Sequence, residues 1–405
     1  MKVIAMDEDR VWDVIVAGAG PAGSVTAREL ARRGLSVLML EEHHEVGRPV
    51  HCAGLVTRRV FEAVPAPECV RNPLSAGELL APTGRSIVLG GGAEKAVVLD
   101  RARFDRRAAE MAIDAGAKLE LGVRVEGVYD ASGKEAAVVD VSGRGGKRRL
   151  RARAVVGADG VQSVVGRSAG IRPPAEILPG YEAELSGVEG PKDTIRVLVG
   201  RDIAPGFFAW LIPAGDGKAL LGLCCEPGPV PARAFFERLL KNKALAPYIG
   251  RAQVLSYFCG SVPVSTVRRS FSGRVALVGD AAGQVKPISG GGLFVGTRCA
   301  LALGETLSGL LEKGDLGGNA LGAYERRWKS ELGRELAFGR RARLTFVHVS
   351  DAQMDELVRM LDKPALLALI SSRGDLDFPS KLAKLLFRQA PGLLKFAGPF
   401  VKSLF

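Results

Sequence analysis

Two short apolar runs flank an amphipathic stretch near the start of the chain. Residues 13–17 (DVIVA) predict a buried strand, residues 24–33 predict a helix that Gly34 ends, and residues 36–40 (SVLML) predict a second buried strand. The three segments fit within about 30 residues, which is typical of a β-α-β unit with parallel strands. The chain therefore opens with an α/β pattern.

The rest of the chain continues this alternation. Predicted helices lie at 100–115 and 293–311, apolar runs typical of buried strands lie at 154–158 (AVVGA) and 275–278 (VALV), and two β-like runs surround 207–213 within 194–224. From residue 320 onward the pattern is helical. These elements predict an α/β (α+β) fold with an antiparallel-sheet layer and a C-terminal helical region.

Composition and charge narrow the possible classes of protein. The 405 residues are 47% hydrophobic and 25% charged, as expected of a globular chain with a sizeable core. A net charge of +12 indicates either an anionic partner, such as a lipid surface or a polyphosphate ligand, or a general bias that favours solubility. We expect no nucleic-acid partner, because no zinc-finger spacing, helix-turn-helix or aromatic RNA-binding motif is found.

Cysteine spacing and apolar runs bear on metals and localisation. The six cysteines form no C-x-x-C pair, so we expect neither a metal site nor a disulfide scaffold. The first twelve residues carry several charges and do not resemble a signal peptide, and no apolar run reaches the ~18 residues of a membrane span. The expected localisation is cytoplasmic, with peripheral membrane contact.

A glycine motif joins the first strand to the first helix. In Gly18-Ala19-Gly20-Pro21-Ala22-Gly23, the first glycine allows the tight turn, Gly20 lets backbone approach a pyrophosphate, and Gly23 lets the helix pack close to the strand. Helix amides and the helix dipole would face the phosphates. Glu41, at the end of the second strand, can accept hydrogen bonds from a ribose. The motif predicts a Rossmann-type dinucleotide site.

Two distant segments and one arginine distinguish FAD from NAD. Gly157-Ala158-Asp159-Gly160, the run from Gly279-Asp280 to Gly290-Gly291-Gly292, and Arg101 together resemble the aromatic-hydroxylase-like flavoprotein superfamily. The resemblance implies FAD, with the Gly-Asp segment near its ribityl chain and pyrophosphate, and the glycine loop against the isoalloxazine ring. A run without Cβ atoms lets backbone N–H groups approach and stabilise an anionic ring. Asp280 could instead, or in addition, cap a helix.

Two further motifs resemble the geranylgeranyl reductase family, which includes the archaeal digeranylgeranylglycerophospholipid reductases. Pro49-Val50-His51-Cys52-Ala53-Gly54 is similar to the family's P-x-x-C-x-G segment. Phe208-Ala209-Trp210-Leu211-Ile212-Pro213, with Gly222 beyond it, is similar to the family's Y-x-W-x-F-P…G-x-G substrate motif. Phe208 replaces tyrosine, Ile212 replaces phenylalanine and Cys224 replaces the second glycine, which leaves the size and shape of the substrate open.

The family resemblance implies a set of site residues. The catalytic candidates are Cys52 and His51. The cofactor-binding candidates are Gly18, Gly20, Ala22, Gly23, Glu41, Glu42, Arg48, Cys52, Ala53, Gly54, Arg101, Val125, Asp159, Gly160, Gly279, Asp280, Pro287, Gly290, Gly291, Gly292 and Leu293. The substrate-binding candidates are Phe207, Phe208, Trp210, Pro213 and Gly222.

The implied activity is saturation of geranylgeranyl double bonds, by hydride from reduced FAD and a proton from another group. An unperturbed thiol has a pKa of ~8.5, so Cys52 would be protonated at neutral pH, but it is a weak acid for an alkene. Cys52 could donate in a concerted step, position flavin or substrate, or be a buried structural residue. His51 could relay a proton or be a loop residue. The electron donor could be NAD(P)H or ferredoxin.

Two other functions are compatible with the same motifs. A flavin-dependent monooxygenase or halogenase is an alternative, since Phe208–Pro213 nearly matches the halogenase W-x-W-x-I-P motif. Halogenases also need a lysine between flavin and substrate, but Lys95, the only lysine between Lys2 and Lys118, lies in a segment (AEKAVVL) that predicts the start of a strand, and the Cys52 segment favours the reductase. A second alternative is a flavin-bearing membrane-surface protein without turnover. The apolar and basic segment 381–405 indicates an interfacial helix interrupted near Pro391, or a helix that packs on its own domain. The oligomeric state stays undetermined.

The predicted domains follow from the order of motifs. Residues 1–75, 100–178 and 258–335 would form a discontinuous FAD-binding domain, and residues 76–99 and 179–257 would form the substrate domain. Residues 336–405 would form the C-terminal helical region.

Overall fold

The computed structural model describes residues 10–129 and 136–396, and these form three sheets flanked by helices. The strands in chain order are β1 (Val11–Ala17), β2 (Val37–Glu41), β3 (Leu55–Val56), β4 (Val70–Leu74), β5 (Ala76–Leu80), β6 (Ser86–Gly90), β7 (Ala96–Leu99), β8 (Lys118–Leu121), β9 (Val123–Tyr129), β10 (Ala137–Gly143), β11 (Gly146–Gly157), β12 (Ile177–Ser186), β13 (Thr194–Leu198), β14 (Ala209–Gly215), β15 (Lys218–Cys224), β16 (Gln253–Pro263), β17 (Phe271–Ser272) and β18 (Val275–Leu277).

The helices in chain order are α1 (Pro21–Ala31), α2 (Arg101–Asp114), α3 (Val164–Ser168), α4 (Ala232–Leu239), α5 (Ala246–Ile249), α6 (Leu293–Glu312), α7 (Gly322–Trp328), α8 (Arg334–His348), α9 (Asp351–Leu361), α10 (Pro364–Arg373) and α11 (Pro379–Gln389). A π-helical turn at Lys329–Gly333 joins α7 to α8. None of the helices in the described part of the chain is both long and apolar enough to cross a membrane.

A mostly parallel sheet forms the first layer. Its strand order is β17-β18-β11-β1-β2-β8, with parallel pairing from β18 through β8 and an antiparallel hairpin of β9 and β10 on β11. The β-α-β unit predicted at the start of the chain is confirmed by β1, α1 and β2. Strand β11 begins eight residues before the predicted run at 154–158, because its basic first half (KRRLRAR) pairs with β10 and carries no apolar run.

A seven-stranded sheet forms the second layer. Its order is β16-β12-β15-β14-β13-β5-β6, antiparallel except for the parallel pair β13–β5. The two β-like runs expected within 194–224 are three strands, β13, β14 and β15, because a turn at 216–217 divides the second run. One face of this sheet packs Leu211, Leu221 and Leu223 against Phe235 and Phe236 of α4.

The predicted fold class is confirmed, whereas the division into domains stays a prediction. The seven-stranded sheet takes its strands from residues 76–90 and 177–263. Strand β7, at 96–99, lies instead between β3 and β4 in a third, antiparallel sheet. This small sheet bridges the two large ones at the side where the Cys52 segment lies.

A buried carboxylate fastens the C-terminal helices to the rest of the molecule. Asp377, which is 2% exposed, lies in the loop between α10 and α11. It accepts hydrogen bonds from Lys286 Nζ at 2.8 Å, Thr57 Oγ1 at 2.5 Å and Arg59 Nη1 at 3.1 Å. Because an unpaired buried carboxylate is costly, these three partners fix the position of this loop.

Helices α1 and α6 pack so closely that a side chain is excluded at one position. A Cβ on Gly304 would lie 2.5 Å from the Glu29 Cβ, whereas a Cβ on Gly309 of the same helix would meet nothing within 4 Å. We expect Gly304→Ala to destabilise the fold by about 1–3 kcal/mol through overpacking. Gly309→Ala, the matched control, should be neutral or stabilise by about 0.5–1 kcal/mol through helix propensity. Urea unfolding followed by circular dichroism measures both; equal effects of the two substitutions would contradict the packing.

Candidate active site

The glycine turn after β1 contains three glycines with different surroundings. A Cβ on Gly18, whose φ is +96°, would lie 2.4 Å from the Ala158 carbonyl oxygen, and a Cβ on Gly23 would lie 2.0 Å from the Gly18 carbonyl oxygen. A Cβ on Gly20 would meet nothing within 4 Å. The protein's own packing therefore requires Gly18 and Gly23, whereas Gly20 borders open space at the N-terminus of α1, where a ligand can approach the backbone.

Glu41 lies beside this turn. Its carboxylate accepts a hydrogen bond from the Ala19 backbone N–H at 3.0 Å and lies 2.6 Å from His43 Nδ1. The end of β2 is thereby tied to the glycine turn, in the position expected of a ribose acceptor. Two other cofactor candidates lie on the surface nearby: Glu42 is 3.7 Å from Arg124, and Arg48 is 3.7 Å from Glu45.

The Asp159 carboxylate is engaged by the protein itself. It accepts hydrogen bonds from Ser163 Oγ at 2.6 Å and from the Val165 backbone N–H at 3.0 Å, at the start of α3. Neighbouring Gly160 has a φ of +74° and open space around a Cβ. At this segment a cofactor would therefore meet backbone rather than the Asp159 side chain.

Asp280 has an exposed side chain beside the glycine loop, since a Cβ on Gly292 would lie 3.0 Å from its Oδ1, and the space in front of this carboxylate is called the cleft. It belongs to the turn Gly279–Ala282, whose capping residue is Val278, and α6 is capped by Gly292, so the alternative that Asp280 caps a helix is wrong. No hydrogen-bond donor to its carboxylate is found in the described residues. Burial raises the pKa of Asp280, and Arg101 opposes this change. A carboxylate in this setting is available to a polar ligand.

Arg101 connects the cleft to the cysteine segment. Its guanidinium binds Asp105 through two nitrogens, at 2.9 and 3.1 Å. Burial lowers the pKa of Arg101, but the Asp105 carboxylate, with neighbouring Cys52, outweighs burial and holds this pKa above its ordinary value. Gly54, with a φ of +69°, lets the chain turn over this side chain, since a Cβ there would lie 3.1 Å from Arg101 Cγ. Arg101 is thus a fixed cation between Cys52 and Asp280.

The glycine-rich loop before α6 is shaped by close contacts with the protein. A Cβ on Gly290, whose φ is +70°, would lie 3.6 Å from the Phe207 ring, and one on Gly291 would lie 2.8 Å from Lys286 Cε. A Cβ on Gly292 would lie 3.0 Å from Asp280 Oδ1. The three glycines therefore let the loop lie between the cleft and the aromatic wall, which is formed by Phe207, Phe208 and Trp210. They also expose the backbone of the loop to a ligand.

A cavity of about 590 Å³ lies between this loop and the seven-stranded sheet. This volume is within the range of small-molecule sites. Among the sequence-predicted site residues, the cavity is lined by His51, Cys52, Ala53, Gly54, Phe207, Phe208, Trp210, Pro287, Gly290 and Gly291. The structure thus brings together the cysteine segment, the aromatic motif and the glycine loop, which are far apart in the sequence.

Other predicted residues lie outside this cavity. Val125 is buried in the core beneath the parallel sheet, and the carbonyl of buried Pro213 accepts a hydrogen bond from Asn72. Leu293 begins α6, and Ala22 lies in α1 against Gly279. Lys95, the lysine considered for a halogenase, does line the cavity.

Cys52 and His51 are both exposed to the cavity. The Cys52 sulfur accepts a hydrogen bond from the Gly54 backbone N–H at 3.4 Å. His51 Nδ1 lies 3.0 Å from the carbonyl oxygen of Cys259 on β16, and this geometry makes Nδ1 the protonated nitrogen. In a neutral imidazole Nε2 is then an acceptor. The peptide bond between Arg48 and Pro49, just before these residues, is cis.

The aromatic wall is built on one register line of the sheet. Trp210 on β14 is opposite Gly222 on β15, which in turn is opposite Glu182 on β12. A Cβ on Gly222 would lie 2.7 Å from the Trp210 ring, so the glycine lets the indole lie across β15 and donate a hydrogen bond from Nε1 to Glu182 Oε2 at 2.7 Å. Phe208 packs edge-on to Trp210 and stacks on Phe207 at 4.2 Å.

Sequence reasoning missed Glu182. In the strand sequence YEAELS, glutamates at alternate positions indicate a solvent-facing side, yet Glu182 is only 7% exposed and lines the cavity. Desolvation by burial raises its pKa to about 7, although the Trp210 hydrogen bond lowers it. The sequence carries no signal of the contact between Glu182 and Trp210, because only the register of β12, β14 and β15 brings these two side chains together.

Cys224 fits the sheet because of a second glycine. A Cβ on Gly180, opposite Cys224 on β12, would lie 2.9 Å from the Cys224 sulfur, so the thiol occupies the space above Gly180. Desolvation by burial raises the pKa of Cys224 to about 12, so it stays a neutral thiol among Leu178, Phe207 and Val264. Cys225 belongs to the core on the α4 side of the sheet. The two cysteines therefore contribute to different cores rather than to one redox pair.

The residues present fit a bound FAD. Gly20 and Gly160 border open space, Glu41 lies at the end of β2, and Asp280 faces the cleft without a protein donor among the described residues. An elongated dinucleotide could extend from the glycine turn past Asp280 to the loop at Gly290, and that loop borders the apolar cavity. Which of these residues contact the cofactor stays a prediction.

Comparison with known proteins agrees with this geometry. The family described as FAD binding domain matches residues 11–330. The chain is 32% identical to digeranylgeranylglycerophospholipid reductase 2 of Methanopyrus kandleri, over 96% of this chain and 100% of the relative. It is 30% identical to the digeranylgeranylglycerophospholipid reductase of Methanocaldococcus jannaschii, over 95% of this chain and 97% of the relative.

A solved structure is similar along the whole chain. It is a geranylgeranyl bacteriochlorophyll reductase-like protein from Thermoplasma acidophilum, with a TM-score of 0.87, 25% identity and coverage of 98% of this chain and 100% of the other. A flavin-dependent brominase shares the fold at a TM-score of 0.71 and 18% identity, with coverage of 95% and 99%.

The contrast between Gly20 and Gly23 yields a test of the cofactor site. Gly20 has φ −65° and ψ 175°, a conformation open to alanine, so Gly20→Ala should leave the thermal midpoint of the flavin-free protein unchanged. Its methyl group would enter the ligand space, and we expect FAD affinity to fall at least tenfold in a fluorescence titration. Gly23→Ala should instead unfold or strongly destabilise the protein without FAD. Normal FAD affinity in Gly20→Ala would exclude the proposed position of the pyrophosphate.

Proposed function

The chain belongs to the FAD-binding domain family and, within it, to the geranylgeranyl reductases, and on this premise we propose that it saturates the isoprenoid double bonds of geranylgeranyl lipids. The observation that carries the proposal is the apolar cavity of about 590 Å³ between the glycine loop and the aromatic wall. Relatives that match nearly the whole chain are named for digeranylgeranylglycerophospholipids, which supports a glycerophospholipid with two such chains as the substrate.

Different residues of the chain would bind the cofactor and the isoprenoid substrate. Gly18, Gly20 and the N-terminus of α1 would hold the pyrophosphate, and Glu41 would bind a ribose. The loop around Gly290 would hold the ring against the cavity. When bound and reduced, FAD supplies a hydride. Phe208 and Trp210 would align the isoprenoid chain and keep water away from it.

Cys52 lies at the edge of this cavity, and Arg101 lies behind it. The fixed guanidinium between Cys52 and Asp280 supports a role for Arg101 in holding the cofactor and the Cys52 loop together. His51, with Nδ1 bound to the Cys259 carbonyl, keeps an acceptor nitrogen for a proton relay. These roles extend the sequence-based assignments of Cys52 and His51 as catalytic residues.

We further propose that the cavity mouth faces an anionic membrane. Ile288 and Leu376, both lining the cavity, are large apolar side chains that are 37% and 49% exposed. Helix α11 borders the same mouth through Leu382 and exposes Lys381, Lys384 and Arg388 along one side. Cations beside exposed apolar residues are typical of peripheral binding to anionic lipid. The helix ends at Gln389, before Pro391, and residues 397–405 of the predicted interfacial segment lie outside the described residues.

The activity is tested directly by anaerobic turnover. The purified flavoprotein is reduced with dithionite, mixed with a digeranylgeranyl glycerophospholipid, and the lipid is analysed by mass spectrometry. We expect mass gains of two hydrogens per double bond. Aerobic incubation with halide tests the alternatives that Lys95 keeps relevant, and hydroxylation or halogenation without saturation would overturn the proposal.

Cys52→Ala tests whether Cys52 contributes to turnover, as a donor or as a positioning residue. We expect the variant to keep its flavin absorbance spectrum and to lose most turnover, because the loop at the cavity edge loses its thiol. Cys259→Ala, which changes a second cysteine on the same cavity, is the matched control and should keep the wild-type rate. A wild-type rate in Cys52→Ala would make this cysteine structural.

Charge reversal on α11 tests the membrane surface. The double substitution Lys384→Glu and Arg388→Glu should reduce co-sedimentation with phosphatidylserine vesicles at least fivefold, since each basic residue near the surface contributes about 1 kcal/mol. Lys241→Glu with Lys243→Glu, an equal change of charge at exposed positions before α5, should have little effect. Equal losses in the two variants would show that net charge alone, rather than this surface, drives binding.

A further inference from the structure

The saturation of an alkene needs a proton as well as a hydride, and the cavity contains a buried acid for which the family motifs give no role. We propose that the Glu182 carboxylic acid donates this proton, held in place by the Trp210 indole; this inference rests on the proposed function. Glu182 is 7% exposed, lines the cavity and accepts a hydrogen bond from Trp210 Nε1 at 2.7 Å.

The geometry favours a neutral carboxyl that faces the substrate. In the described part of the chain, no cation and no other donor reaches the Glu182 side chain, and its two partners in the sheet are Gly222 on β15 and Phe258 on β16. The Trp210 indole forms part of the wall against which the isoprenoid chain would lie. The same indole fixes one carboxyl oxygen, which leaves the other free to carry a proton.

Titratable groups from several elements surround Glu182. Glu184 on the same strand raises the pKa of Glu182, but Glu184 is itself paired with Arg71 of β4 at 2.9 Å. Cys224 on β15 stays a neutral thiol. The other titratable residues that line the cavity are His51, Cys52, Glu78, Lys95, Tyr181, Cys259, Lys286, Glu335, Asp375 and Asp377. Burial is therefore the main influence on Glu182, and it raises the pKa from 4.5 to about 7.

The proposed step balances in atoms and charge. The O–H bond of Glu182 breaks, and its proton forms a C–H bond with one alkene carbon by means of the electron pair of the π bond. The other alkene carbon receives the hydride that bound, reduced FAD supplies. Glutamate 182 is left as a carboxylate and regains a proton from water between turnovers.

Geometry favours Glu182 over Cys52 as the donor. The Cys52 sulfur already accepts a hydrogen bond from the Gly54 backbone N–H at 3.4 Å and lies beside Arg101. Glu182 lies against the Trp210 indole with one carboxyl oxygen free, and burial raises its pKa to about 7, close to the operating pH that general acid catalysis favours. Cys52, next to Arg101, then acts as a positioning residue at the cavity edge.

Glu182→Gln tests the donor with little change of shape, because the amide oxygen can still accept from Trp210. We expect the variant to keep the flavin spectrum and the KM for the lipid within about twofold, while kcat falls at least 100-fold, as is typical for loss of a general acid. Glu184→Gln, on the same strand, should keep kcat within about twofold. Wild-type kcat in Glu182→Gln would overturn the proposal, whereas absence of lipid saturation in the wild type would instead overturn the proposed function.

The pH dependence provides a second measurement. The wild-type rate should fall as Glu182 loses its proton above about pH 7. Trp210→Phe removes the hydrogen bond that lowers this pKa, so the fall should move to higher pH. A wild-type rate that does not change between pH 6 and 8 contradicts the assignment. So does a fall in rate that moves to lower pH in Trp210→Phe.

Stability gives a measurement that does not depend on turnover or on bound flavin. Folding raises the pKa of Glu182 from 4.5 to about 7, so the unfolded chain releases its proton first and the folded state loses stability as pH rises between these values. Glu182→Gln lacks this loss. The thermal midpoint of Glu182→Gln minus that of the wild type should therefore be larger at pH 8 than at pH 5. The same difference at both pH values would overturn the proposal.

Discussion

The close approach of three backbone segments at the carboxyl edge of the parallel sheet governs the shape of the site. The turn after β1 lies against Ala158 after β11, with a Cβ on Gly18 excluded at 2.4 Å, and Gly279 after β18 lies against Ala22 of α1. At these contacts a side chain would separate the segments. Their convergence leaves open space beside Gly20 and an exposed Asp280, and the loop at Gly290 lies against Phe207 of the aromatic wall.

Much of this arrangement follows from the sequence. The pattern of apolar residues predicts the β-α-β unit, the helices α2 and α6 and the buried run that ends β11. The glycine spacing at 18–23 identifies a dinucleotide site from local chemistry alone. The grouping of Cys52, Trp210 and Gly290 around one cavity was anticipated only through the resemblance to a family, because no local rule brings residues so far apart in sequence together.

The remaining features depend on strand register, which the sequence does not encode locally. Trp210, Gly222 and Glu182 meet because β12, β15 and β14 are adjacent, and a one-residue slip would turn Glu182 to the α4 side. Gly180 and Cys224 are likewise complementary across two strands, since the Cys224 sulfur occupies the space above Gly180 where both residues line the cavity. The hydrogen bond from Ser163 Oγ to the Asp159 carboxylate could not be predicted for a different reason. A sequence motif identifies a residue but not its hydrogen-bond partner.

The salt bridge between Lys286 and Asp377 links two parts of the molecule with different tasks. Lys286 stands at the start of the loop that borders the cleft, and Asp377 follows Leu376 at the mouth of the cavity. Binding equilibria at linked sites are reciprocal. If a lipid bound at the mouth shifts this ion pair, the factor by which the lipid changes the affinity of the loop for its ligand must equal the factor by which that ligand changes the affinity for the lipid. The ion pair is therefore a contact through which a lipid and a cofactor would sense one another.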